Sequence, residues 1–384
     1  MPTRLLYNPN PMRVLDNDGD HSAVLVFHRR LPGYAPTPLV EAPALAARLG
    51  IGQVWVKNES SRLRLPAFKM LGASWAASRA LAARLGGSLE PWDAVDDLRE
   101  RVAALRPMTL AAATDGNHGR AVARMARLLG FGARIFVPAG TADARIAAIA
   151  GEGAQVVVDG TYDEAVARAA HEAGERCMVI SDTSWPGYED VPRWVIEGYT
   201  TIFAEVDEAL AARGVAGPNL VAAQIGVGAL AAAVARHYRR PGVSPAPRLV
   251  GVEPAHAACA LASVEAGELL TVPGPHDSIM AGLNCGTPSS VAWPDLRDGI
   301  DAFVAIDDGW ARQAMRALAE AGIVAGETGG AGLAGLLALL TESGAEAARN
   351  ALGLTETTQA LVICTEGATD PVNYQRIVGG ASHA

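Results

Sequence analysis

Lys69 is the only charged residue in the run Ala67-Phe68-Lys69-Met70-Leu71-Gly72-Ala73. If that run is buried, loss of water disfavours the ammonium and shifts the amine towards neutrality, and a neutral amine is a nucleophile that can condense with an aldehyde. A lysine whose stem lies along apolar surface with its charge in water is the competing reading of the heptapeptide alone. Four other stretches hold residues of chemical use. Thr114-Asp115-Gly116-Asn117-His118-Gly119 joins glycines that let a ligand approach the backbone to the free amides of a helix start, with a carboxylate and an amide side chain between them. Gln224-Ile225-Gly226-Val227-Gly228-Ala229-Leu230 sets two glycines ahead of a helix, enough for an anion nest that holds one phosphate monoester. Ile180-Ser181-Asp182-Thr183-Ser184-Trp185 puts a carboxylate beside an aromatic ring, and Ile363-Cys364-Thr365-Glu366-Gly367 offers a hydroxyl that could bond a ring nitrogen. Taken singly, each also reads as an ordinary capped strand-to-helix turn.

The order of elements decides whether these stretches can meet. From Met108 to Ala212 the chain alternates short apolar strands with amphipathic helices in four successive units, and the alternation resumes at Asn219 after Gly217-Pro218. Strands of that kind imply parallel sheets covered on both faces, where ligands bind at the carboxyl ends of the strands. All four polar turns follow such strands. The reading is two open, mostly parallel three-layer α/β/α domains, with residues 1–78 and 190–384 forming a large domain and residues 79–189 a smaller one. Outside the alternation, Ser22 to Phe27 reads as an edge strand in an irregular arm over residues 1–35. Thr37-Pro38-Leu39 reads as a helix start, residues 271–303 as irregular, and Phe68 to Leu85 as a long helix stopped by Gly86-Gly87.

Composition removes several classes of function. A net charge of −9, from 32 basic and 41 acidic residues, disfavours nucleic acid and anionic membranes as partners. The polar, proline-bearing N-terminus lacks the apolar core of a secretory signal, and no apolar run reaches the ~18 residues of a membrane span. A cytoplasmic protein is therefore expected. Cys177, Cys259, Cys285 and Cys364 have no CxxC spacing and the histidines no HExxH pattern, so no metal site is expected.

The ordered set of a lysine at an apolar helix start, an asparagine loop, a glycine phosphate nest and a hydroxyl after the last strand resembles the fold type II pyridoxal-phosphate enzymes. Within them it most resembles the diaminopropionate ammonia-lyases, through Lys57-Asn58-Glu59-Ser60, Ala67-Phe68-Lys69, Thr114 to Arg120, Asp182-Thr183 with Trp185, Gly198-Tyr199-Thr200-Thr201, Met280 to Leu283 with Cys285 to Ser289, and Thr365-Glu366-Gly367 with Thr369-Asp370-Pro371. Asp115 is the most discriminating match, since serine and threonine dehydratases of this fold usually carry a hydroxyl residue there. The resemblance implies that pyridoxal phosphate lies in the cleft between the domains. Lys69 would hold it, beside Phe68. Asn117 would meet its phenolic oxygen, Gly226, Val227, Gly228, Ala229 and Leu230 its phosphate, and Thr365 its ring nitrogen. Asp115 and Asp182 would be acid/base groups, one for each face of an amino acid substrate held by Thr114, Asp115, Gly116 and His118. The implied reaction is elimination from 2,3-diaminopropionate to pyruvate and two ammonia, in a homodimer. Elimination or replacement on another β-substituted amino acid, or a catalytically silent binding protein, are the alternatives. Arg64, Pro66 and Pro186 depart from the family pattern, and Cys259 and Cys285 are expected to lie near each other.

Overall fold

The computed structural model describes residues 3–12, 14, 22–158 and 160–382; positions 13 and 15–21 of the expected N-terminal arm lie outside that set. Among the described residues the strands are, in chain order, β1 (Arg4–Tyr7), β2 (Leu39–Glu41), β3 (Gln53–Asn58), β4 (Thr109–Ala113), β5 (Gly132–Val137), β6 (Gln155–Val158), β7 (Cys177–Val179), β8 (Leu220–Gln224), β9 (Arg248–Pro254), β10 (Ala302–Ile306) and β11 (Gln359–Cys364). They form a seven-stranded sheet in the order β1-β10-β9-β8-β11-β3-β2 and a four-stranded sheet in the order β6-β5-β4-β7. The smaller sheet is wholly parallel, and in the larger only the edge strands β1 and β2 run antiparallel to their neighbours. This is the doubly covered α/β architecture that continuous apolar strands require, because βαβ crossovers place helices on both faces.

The chain divides into two compact units. The first contains residues 1–19, 36–61 and 202–384, the second residues 20–35 and 62–201. The expected boundaries at 78 and 190 thus fall elsewhere: residues 62–78, with Lys69, and residues 190–201 belong with the smaller sheet. Close packing explains it. A Cβ on Gly72 would lie 2.6 Å from the Tyr199 ring, and one on Gly198 would lie 2.5 Å from the Leu71 carbonyl oxygen, so helices Met70–Arg84 and Asp190–Ala211 touch through their backbones.

Three local expectations are corrected. Ser22–Arg29 is a helix rather than an edge strand; Val24, Leu25, Phe27 and His28 are buried, and Phe27 packs edge-on against Trp75 and Trp92. At Thr37-Pro38-Leu39 the chain enters β2, and the helix starts later, at Pro43. The stretch 271–303 ends in helix Trp293–Gly299 and the first residues of β10. In the first unit the core is built on β3, β8, β9, β10 and β11 around helix Ala331–Thr341, whose Ala331 to Leu340 are all buried. In the second, Ala113 and Phe136 pack on Ala165 and Ala169.

Candidate active site

Strand register places the two aspartates of the second unit. Ala111 of β4 pairs with Val179 of β7, and the Ile180 N–H donates to the Ala111 carbonyl at 2.8 Å, so the turns leaving both strands lie side by side. Asp115 and Asp182 sit on these turns. In the first of them the Thr114 hydroxyl accepts a hydrogen bond from the Gly116 N–H at 2.9 Å, and Gly116 adopts φ 150°, the region that favours glycine. Helix Asn117–Leu129 begins at the next residue.

Lys69 immediately precedes helix Met70–Arg84 and donates to Asp182 Oδ2 at 2.6 Å. Its side chain is 22 % exposed and ends against the buried Asp182. Burial alone would lower the Lys69 pKa, but the Asp182 carboxylate overrides it and the amine is raised. The expected shift of Lys69 towards neutrality is thereby corrected: a carboxylate at hydrogen-bond distance outweighs the apolar surroundings. Burial likewise works to raise Asp182, and the Lys69 ammonium reverses it, holding that carboxyl below the usual range. For Asp115 burial prevails over the positive charges of Arg145 and Lys69, and its carboxyl is raised. Two aspartates at one lysine are thus pushed in opposite directions, the pattern by which one site keeps both an acid and a base.

His118, expected to touch substrate, is buried, and its Nε2 donates to the Ile180 carbonyl at 2.8 Å. Phe68 is buried and meets the Tyr199 ring at 4.6 Å between centroids. Tyr199 was not among the expected functional residues. It is fully buried, its ring centroid is 5.9 Å from Lys69 Nζ, and its hydroxyl has no hydrogen-bond partner among the described residues. In the sequence it stood within the family-like segment Gly198-Tyr199-Thr200-Thr201, with no role assigned. Arg145 is the other addition, resting against Gly116 with its charge felt by Asp115.

The remaining expected residues lie in the first unit. The turn Ile225–Gly228 leads from β8 into helix Ala229–Tyr238, whose first amides have no preceding carbonyl to bond. Gly228 takes φ 100°, and a Cβ there would lie 2.6 Å from Leu296 Cδ1; one on Gly226 would lie 2.9 Å from the Gly282 oxygen. Glycine is therefore required on both counts. Gly226, Val227, Gly228, Ala229 and Leu230 form a tight backbone cradle at an open helix end, suited to a phosphate. Thr365 follows β11, and its hydroxyl accepts from Gln224 Nε2 at 2.9 Å. Gln224 also donates to the Thr328 and Ile363 carbonyls, which fixes the strand end that presents Thr365. Cys259 Sγ stands 3.8 Å from the Gly226 oxygen, and a Cβ on Gly226 would lie 3.4 Å from Cys285 Sγ; neither cysteine is in a disulfide. No cluster of His, Cys, Asp or Glu able to hold a metal ion occurs among the described residues.

Residues 30–353 match the family described as pyridoxal-phosphate dependent enzyme. The chain belongs to this family. It is 36 % identical to the diaminopropionate ammonia-lyase of Salmonella typhimurium, over 92 % of this chain and 91 % of that protein, and 36 % identical to that of Escherichia coli strain K12, over 93 % and 91 %. Among solved structures, the Escherichia coli diaminopropionate ammonia lyase in complex with D-serine matches with a TM-score of 0.91 at 33 % identity, covering 100 % of this chain and 98 % of that one. The same enzyme in complex with an aminoacrylate-PLP azomethine reaction intermediate matches with a TM-score of 0.89 at 32 % identity and the same coverage. The fold is that of the fold type II members of the family, and the cofactor is pyridoxal phosphate. No described helix is long and apolar enough to cross a membrane.

Proposed function

We propose that this chain removes both amino groups of 2,3-diaminopropionate as ammonia and, with water, leaves pyruvate. The observation that carries the reading is the pair of aspartates with opposed pKa shifts at a single lysine. Sequence and fold similarity to diaminopropionate ammonia-lyases over nearly the whole chain supports it.

The residues present fit the cofactor. The glycine cradle 226–230 would take the phosphate on backbone amides, Thr365 would meet the ring nitrogen, Asn117 the phenolic oxygen, and Lys69 would supply the amine that holds the group, with Phe68 beside it. When bound, pyridoxal phosphate supplies an aldehyde that condenses with amines and a conjugated ring that spreads the electrons left by a departing α-proton. A neutral hydroxyl at Thr365, unlike a carboxylate, would leave the ring nitrogen largely unprotonated and so favour elimination over transamination. Thr114 and Gly116 shape the loop that grips the substrate carboxylate. Asp115 and Asp182 exchange protons with the α-carbon and with the departing β-amine, so that amino acids presenting the α-hydrogen on either face can be served. Asp115, raised by burial, is suited to hold a proton near neutral pH; Asp182 is suited to accept one once Lys69 no longer pairs with it.

The proposal includes a homodimer in the cytoplasm. Leu5 and Tyr7, exposed on edge strand β1, offer apolar surface for a second copy, and four cysteines without a disulfide suit a reducing compartment. Borohydride reduction after addition of pyridoxal phosphate tests the attachment site: a stable chromophore should map to Lys69, and Lys69→Ala should lose it together with at least about 1,000-fold of activity. A chromophore retained on another lysine overturns the assignment.

A further inference from the structure

Asp182 faces more than one buried group. Oδ2 is 2.6 Å from Lys69 Nζ and 3.8 Å from His118 Nδ1. His118 is 2 % exposed and fixed by its Nε2 bond to the Ile180 carbonyl. A carbonyl only accepts, so Nε2 carries a proton, and burial holds the ring below the usual histidine pKa, which leaves the lone pair of a neutral imidazole at Nδ1 facing Asp182. That lone pair has no hydrogen-bond partner among the described residues. Two acceptors, a carboxylate and an imidazole nitrogen, therefore face each other in a buried space with no proton between them, an arrangement that favours any state in which one is supplied.

We propose that His118 is a positioning residue that receives the acid proton of Asp182 and so frees Lys69 as a neutral amine. From the resting ammonium–carboxylate pair, a minor state forms in which the proton has passed from Lys69 Nζ to Asp182 Oδ2 across the 2.6 Å contact, turning ammonium into amine and carboxylate into acid with no change in net charge. An acid proton still aimed at Nζ would occupy the amine lone pair. A displacement of about 1 Å brings the acid O–H to His118 Nδ1 instead, and the amine can then attack a carbonyl carbon. The other groups facing this cluster are fixed in kind: Asp115 with Arg145 behind it, and the neutral phenols Tyr188 and Tyr199. The inference rests on the reading of Lys69 as the attachment amine, but its test does not require the cofactor.

The experiment is acetylation of Lys69 in the cofactor-free protein by N-hydroxysuccinimidyl acetate, followed by peptide mass spectrometry over about pH 6 to 8. An amine that must lose its proton to solvent reacts tenfold more slowly for each unit of falling pH. Because transfer to Asp182 leaves the proton count unchanged, the wild-type rate should level off at low pH. His118→Gln keeps a donor for Ile180 but no acceptor near Nδ1, and should fall tenfold per unit. His118→Asn, whose Oδ1 stands close to the place of Nδ1, should restore the levelling. Identical profiles for wild type and His118→Gln, or for the two variants, overturn the proposal. Loss of pyridoxal-phosphate binding by the wild type, read by absorbance, would overturn the attachment role of Lys69 instead, so the two failures are distinct.

Discussion

One lysine sets the charge state of two aspartates. Asp182 lies at hydrogen-bond distance from Lys69 and is lowered, while Asp115 feels Lys69 only as a longer-range charge and is raised by burial. A carboxyl lowered by folding adds stability above its unfolded pKa near 3.9, and that stability is lost as pH falls through the lower folded value. Asp182→Asn in the cofactor-free protein should therefore cost about 2 kcal/mol at neutral pH, the cost of leaving a partly exposed lysine unpaired. The deficit should shrink as pH falls below about 3.9 and approach zero in urea melts only below about pH 2, the folded value of Asp182. An equal deficit at both pH values would show that the Lys69 pair contributes nothing. The sequence singled out Lys69, Asp115 and Asp182 as candidates but did not show how they are wired. Lys69 and Asp182 are 113 positions apart, and the sign of the lysine's pKa shift depends wholly on that contact.

Among the elements, the alternation from β4 onward was legible because each short apolar strand must be covered on both faces. Helix Asn117–Leu129 and helix Asp143–Ala150 are two of the helices of that alternation. Where the reading failed, a tertiary partner overrode local preference. Ala23-Val24-Leu25-Val26-Phe27 has the β-branched and aromatic content of a strand, yet it folds as a helix because Phe27 is held between Trp75 and Trp92. β2 has three residues, too few to show a period, and takes its form from pairing with β3. Arg64, where the family usually has glycine, keeps the left-handed backbone that glycine would adopt, with φ 62°, after Leu63 at φ 51°. The contact of Gly72 with Val195 and Tyr199 was equally hidden. Gly72→Ala should force Tyr199 aside and destabilise the protein by about 1–3 kcal/mol. Because Tyr199 packs on Phe68, next to Lys69, the same variant should change borohydride-trapped cofactor at Lys69. A Gly72→Ala protein with unaltered melting and unaltered trapping would show that the two helices can part at no cost.

At the scale of the whole molecule, net acidity disfavours nucleic acid as a partner, and family membership fixes the cofactor. Substrate choice then depends on whether Asp115 and Asp182 work as a pair. Pyruvate and ammonia released by the purified, cofactor-loaded protein from D- and L-2,3-diaminopropionate, assayed beside serine, test this most directly. The account predicts turnover of both isomers with about two ammonia for each pyruvate, loss of one isomer in Asp115→Asn and of the other in Asp182→Asn, and little turnover of serine. Serine consumed in preference to both isomers, or the two variants losing the same isomer, would contradict it.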